Sequence, residues 1–293
     1  MSGRWIVRAA LAGLLVVPVA ACARVDAGEV GGTAIGGLGG DGNEVVLRVE
    51  QTGGLLPPAA LFGRLPVVTV YADGRVFTEG PQTLAFPGPA LPNIELRRIT
   101  VEDVDALVAR ARAAGVGSGV DLGHPAVADA PLTRFTLTVA TGTEVLEVYG
   151  LVEGDQPADG LTEAQRAGRA KLRDLLAALT DLPGTLGSDR VGAAEPYAPS
   201  AVAALASPWH GDPAGSPASS AVAWPGPALP GPPLRSGLEQ GCVVVRGDAA
   251  TELLTLAAKA NAQTPWTWGD DRWSVVLRPL LPDETECADL AAD

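Results

Sequence analysis

Through the middle of the chain, apolar and polar side chains alternate in short runs that break at turn-forming pairs. Val67-Val68-Thr69-Val70-Tyr71 and Arg75-Val76-Phe77-Thr78 flank Asp73-Gly74, a pair that accepts positive φ and so marks a hairpin. Phe135-Thr136-Leu137-Thr138-Val139 and Glu144-Val145-Leu146-Glu147-Val148-Tyr149 flank Thr141-Gly142 in the same manner, and Val45-Val46-Leu47-Arg48-Val49 reads as a strand ahead of both. After each hairpin the pattern changes to the helical period of about 3.6. Thr100-Val101-Glu102-Asp103 has the form of a capping box, Val104, Leu107, Val108 and Ala111 share one face, and Gly115 is placed to end the helix. Thr162-Glu163-Ala164-Gln165 repeats the cap, Leu172, Leu175, Leu176, Leu179 and Leu182 form the stripe, and Pro183-Gly184 is the expected stop. Strand pairs followed by helices that bury one face predict an α+β domain over 44–185: antiparallel β-hairpins with helices packed on one face.

Residues 186–240 break the pattern. They are rich in Ala, Pro, Gly and Ser around Trp209 and Trp224, and their Pro-Gly-Pro runs predict a long irregular connection. A small unit then follows at 241–293. Cys242-Val243-Val244-Val245 reads as a buried strand, Asp248 as the N-cap of a helix carrying Leu253, Leu254 and Ala257, and Trp273 to Leu277 as a second strand. Cys242 and Cys287 are read as a disulfide closing this strand-helix-strand unit, a bridge the chain-entropy model values at roughly 4 kcal/mol. A zinc set is a poor alternative, because the histidines stand apart at positions 124 and 210.

The N-terminus carries a different signal. Arg4 and Arg8 precede an apolar stretch from Ala9 to Ala21, too short for a span of about 20 residues but suited to the core of a secretory signal peptide over 1–21. Val19-Ala20-Ala21-Cys22 resembles the lipobox of bacterial lipoproteins. That resemblance implies acylation of Cys22, cleavage before it, and attachment to the membrane through two acyl chains. Residues 22–43 then read as the lipidated Cys and a Gly-rich tether. Within it, Gly37-Leu38-Gly39-Gly40-Asp41-Gly42 matches G-x-G-x-x-G but lacks the strand before and the helix after, so no dinucleotide site is expected.

Composition narrows the partners. The chain has 293 residues, 47% hydrophobic and 19% charged, with a formal net charge of −13. That is enough apolar material for a core, and the wrong sign for nucleic acid, whose binding rests on clustered Lys and Arg. Loss of Arg4 and Arg8 with the signal makes the exported chain more negative still. The run from Val46 to Gly115, with Gly53-Gly54, Leu65-Pro66, Tyr71-Ala72-Asp73-Gly74 and Pro87-Gly88-Pro89, resembles secreted lipoproteins of high-GC Gram-positive bacteria. Leu277-Arg278-Pro279-Leu280-Leu281-Pro282-Asp283-Glu284 followed by Cys287 resembles the end of the same group. The resemblance implies an address and no activity.

Candidate chemistry is sparse. Ser118, His124 and Asp129 fall within a dozen positions and can be drawn as a triad, yet no G-x-S-x-G elbow exists around Ser118. Asp270-Asp271 and Asp283-Glu284 read as solvated acidic faces rather than a calcium loop. Trp266, Trp268 and Trp273 either fill the core of the disulfide unit or form a surface for stacking on a sugar or a protein. The expectation is therefore a non-catalytic, lipid-anchored protein on the outer face of the cell membrane. It would bind an envelope partner or small ligand, with no cofactor, no metal and no nucleic acid. The rival reading is an envelope hydrolase using loop residues near His124.

Overall fold

A computed structural model describes residues 42–153, 160–211 and 220–291. The expected signal peptide, Cys22 and nearly all of the expected tether lie outside these residues. Seven strands form the first sheet: β1 (Val45–Gly53), β2 (Val68–Tyr71), β3 (Arg75–Glu79), β4 (Ile94–Arg98), β5 (Pro131–Val139), β6 (Gly142–Tyr149) and β7 (Glu195–Pro196). Their order is β6-β5-β1-β2-β3-β4-β7, antiparallel throughout, so β1 lies between the two expected hairpins. The register of β1 on β2 shifts between Val45 and Leu47, and Val46 and Leu47 both end up in the core. A bulge of this kind turns two consecutive side chains to one face.

That inner face carries Val49, Val68, Val70, Val76, Phe135 and Leu137, all at 3% exposure or less. Helices α2 (Val101–Ala114) and α3 (Glu163–Thr180) cover it with Val104, Leu107, Val108, Leu172, Leu175 and Leu179. Both capping boxes form. Thr100 accepts from the Asp103 N–H while Asp103 accepts from the Thr100 N–H, and Thr162 and Gln165 do the same. Gly115 closes α2 at φ 111°, a conformation with little cost only for glycine. Pro183-Gly184 does more than stop α3. It opens the short helix α4 (Leu182–Leu186), where proline's missing N–H is not needed, and Asp181 accepts from the Gly184 N–H. A further short helix, α1 (Pro58–Phe62), links β1 to β2.

The second sheet, in the order β10-β8-β12-β11-β9, contains β8 (Ala201–Pro208), β9 (Val222–Ala223), β10 (Gly241–Arg246), β11 (Trp266–Trp268) and β12 (Asp271–Pro279). The expected strand-helix-strand is present as β10, α5 (Gly247–Ala257) and β12, and the Cys242–Cys287 disulfide joins β10 to a C-terminal 3₁₀ helix (Cys287–Ala291). Two expectations are corrected. Residues 186–240 are not an irregular connection, because they supply β7, β8 and β9, and β8 pairs with β10 on one side and β12 on the other. Ala201 to Ala206 are all buried, Val202, Ala204 and Ala206 on one face and Ala201, Ala203 and Leu205 on the other. A strand buried on both faces shows no alternation, and an alanine-rich one has the composition of a linker. Nor is Asp248 the cap of α5: Arg246 occupies that position without a side-chain bond, and Asp248 lies in the first turn, where its charge favours the helix dipole.

The two sheets are held by specific contacts. Tyr197 Oη donates to the Leu280 carbonyl at 2.9 Å, the Ala262 N–H to the Gly88 carbonyl at 2.9 Å, and Arg278 Nε to the Arg64 carbonyl at 3.3 Å. The end of α1 presses closely on the second sheet. A Cβ at Gly63 would stand 2.6 Å from Val276 Cγ1, so only glycine fits. No helix among the described residues is long and apolar enough to cross a membrane.

Candidate binding cleft

The outer face of the first sheet is polar where β1, β5 and β6 meet. Register places Glu50 opposite Arg134, Arg134 opposite Glu147, and Thr52 opposite Leu132, so these side chains share one face. Leu61 and Phe62 of α1, Arg64 just after it, and Asp289 and Leu290 of the 3₁₀ helix face that surface across a cleft. A polar cavity of about 150 Å³ occupies its inner end. It shares Leu61, Phe62, Arg134 and Leu290 with a neighbouring cavity of about 420 Å³, which adds Leu132 and Arg235. Gln51, Arg64 and Leu65 connect it on the other side to a third space of about 500 Å³.

Most charges in the cleft are satisfied by the fold itself. Arg48 Nη2 donates to both Asp283 oxygens at 2.8 Å, and Tyr71 Oη donates to the same carboxylate. Burial and the neighbouring Asp283 charge push the Tyr71 phenol far above its ordinary range. Burial opposes the charge on Arg48, but attraction to Asp283 and Glu50 outweighs it and the guanidinium is held more firmly protonated. Arg278 Nη2 meets Glu284 Oε1 at 2.7 Å with both side chains at most 6% exposed, and the other Glu284 oxygen accepts from the Leu281 N–H at 2.7 Å. Arg134 Nε donates to Glu147 at 2.7 Å. Asp289 accepts from the Thr285 and Glu286 N–H groups. Partial burial acts to raise its pKa, but these bonds prevail and hold it below the usual carboxylate value.

Two groups differ. Arg64 donates through Nη1 to the Gln51 carbonyl at 3.0 Å and has no carboxylate partner among the described residues. Glu50, half-buried on the floor of the same cavity, makes no hydrogen bond or ion pair among the described residues. No ion pair joins the two. Arg235 stacks over the Phe62 ring at 5.3 Å and borders the larger cavity.

The residues singled out in the sequence lie elsewhere. The imidazole of His124 is exposed and stacks on Tyr149, ring centroids 4.1 Å apart. Tyr149 Oη donates to the Val127 carbonyl, and Ser118 Oγ donates to the Gly115 carbonyl at 2.6 Å. No hydrogen bond connects Ser118, His124 and Asp129 among the described residues, so the drawn triad is not assembled. Trp266 is 1% exposed and meets Trp224 edge-on at 5.6 Å; Trp273 lies opposite it in the register and packs on the same core. Trp268, at the end of the hairpin, is 40% exposed. Asp283 and Glu284 are not a solvated face, because both are drawn into the ion pairs described above. No group of three or more His, Cys, Asp and Glu side chains that could hold a metal occurs among the described residues. Neither a family model, nor a curated protein, nor a solved structure matches this chain.

Proposed function

We propose that the protein is a lipid-anchored extracytoplasmic binding protein that holds a small ligand in the cleft between the first sheet and the α1–3₁₀ wall. The observation that carries this reading is the cleft itself. Polar and apolar cavities adjoin there, and the surrounding ion pairs fix the walls while leaving Arg64 and Glu50 outside any ion pair among the described residues. Apolar space beside a few placed polar groups is the usual form of a small-molecule site. The lipobox-like Val19-Ala20-Ala21-Cys22 and the Gly-rich stretch after it supply the anchor and tether, which would present the cleft at the outer face of the cell membrane. The hydrolase alternative at His124 has no supporting contact, since that imidazole is stacked on Tyr149 and exposed.

The test is native mass spectrometry of the full chain extracted from the envelope in mild detergent. A bound small molecule is expected on the wild type. It should be lost from Leu132→Trp, which fills the cavity of about 420 Å³ and leaves the Arg48–Asp283 and Arg278–Glu284 pairs, which do not line it, in place. Identical ligand-free spectra for both proteins would overturn the reading.

A further inference from the structure

Within that binding reading, on which this inference rests, we propose that the cleft selects an α-amino acid with an apolar side chain. Its carboxylate would lie on Arg64, its ammonium on Glu50, and its side chain in the space bordered by Phe62, Leu132 and Leu290.

Charge bookkeeping at the inner cavity leads to this ligand. Arg48, Arg134 and Arg278 are neutralised by Asp283, Glu147 and Glu284, and Asp289 is occupied by backbone N–H groups. What remains outside any ion pair among the described residues is one guanidinium and one carboxylate in the same cavity of about 150 Å³, not paired with each other, Glu50 feeling only the longer-range attraction of Arg48. Arg64 uses Nη1 on the Gln51 carbonyl, which fixes the plane of its fork and leaves other donors for a carboxylate. Both groups can exchange water for ligand atoms in a partly enclosed space, so a ligand that meets both with charged hydrogen bonds gains more than one that meets either.

Other anions fit less well. A phosphate or a fatty acid would satisfy Arg64 but set its own charge or its hydrocarbon beside Glu50. An amine alone would leave Arg64 unmet. The α-amino acid head carries both charges on adjoining atoms in a volume the inner cavity accommodates. The adjoining space of about 420 Å³, with Leu61, Phe62, Leu132 and Leu290 in its lining, takes an aliphatic or aromatic side chain. Specificity would follow from the polar end, since a site built to hydrogen-bond a group rejects analogues that lack it far more strongly than an apolar pocket rejects a changed methylene.

The experiment is isothermal titration calorimetry on the full chain in detergent, using L-phenylalanine, L-leucine, 3-phenylpropanoate, phenethylamine and phenyl phosphate. Phenylalanine or leucine should bind, and 3-phenylpropanoate and phenethylamine should each bind at least tenfold more weakly than phenylalanine. Arg64→Ala should abolish amino-acid binding and Arg64→Lys restore part of it. Glu50→Gln, which keeps shape and removes charge, should weaken phenylalanine about tenfold and leave 3-phenylpropanoate unchanged or tighter. Equal binding of phenylalanine and 3-phenylpropanoate, tighter binding of phenyl phosphate, or indifference of phenylalanine to Glu50→Gln would each overturn the assignment. The analogue series on the wild type decides the matter even where a variant folds poorly. If no amino acid binds while the native spectra still show a ligand sensitive to Leu132→Trp, the ligand class falls and the binding reading stands. If the spectra show none, both fall.

Discussion

Tyr71, Arg48 and Asp283 illustrate how a single buried phenol can tie two sheets together. Tyr71 lies on β2, fully buried, and donates to a carboxylate that arrives from beyond β12. With its folded-state pKa raised above the unfolded value of about 10, its contribution to stability is complete at neutral pH and declines as pH rises above about 10. Above that point the unfolded chain has released a proton that the folded chain retains. Tyr197, also raised chiefly by burial, adds a second contribution of the same sign. Urea unfolding of the wild type should therefore show stability falling between about pH 10 and the folded pKa. Tyr71→Phe should be less stable at pH 7 and show a shallower alkaline decline. Equal slopes for the two proteins would count against the Tyr71–Asp283 bond. The Arg278–Glu284 pair belongs to the same scale but not the same category. With both partners almost fully buried, losing one would leave an uncompensated charge and cost several kcal/mol, on the order of 3–5.

Among the elements, the 3₁₀ helix depends most on covalent support. It supplies Asp289 and Leu290 to the cleft wall, and the Cys242–Cys287 disulfide ties it to β10. Reduction, or the double replacement of Cys242→Ala and Cys287→Ala, should lower stability by about 2–5 kcal/mol and weaken ligand retention more than any single ion pair on the opposite wall. Thermal unfolding with and without reductant, paired with native spectra, reads both effects. A reduced protein that keeps its ligand and its melting temperature would show that the wall stands without the bridge. Legibility in the sequence varied by element for physical reasons. Helices α2 and α3 were visible because capping boxes and 3.6-residue stripes are local signals, and the hairpins because their turns are. β8 was hidden because Ala-Val-Ala-Ala-Leu-Ala is buried on both sides and has no period to detect. The cleft was hidden for another reason: Arg48 and Asp283 are 235 residues apart, so their pairing leaves no local trace. Glu50 falls just past the run Val45 to Val49 that reads as a strand, and only the opposite wall gives it meaning.

For the whole molecule, the expected route to the envelope and the cleft make independent demands on the chain. Changing Cys22→Ala should abolish incorporation of labelled fatty acid and release the protein from the membrane fraction or stall its precursor, while leaving the disulfide and amino-acid binding intact. A labelled, membrane-bound Cys22→Ala product would remove the anchor from the account and leave the cleft untouched. The placement of β8 bears on a further property, the behaviour of fragments. Because the strand between β10 and β12 comes from the stretch before them, a fragment beginning at residue 241 would carry two strands with bare backbone edges where β8 should be. Open edges of that kind recruit other chains, so cleavage near residue 240 would turn the folded chain into a seed for aggregation rather than releasing a tidy module.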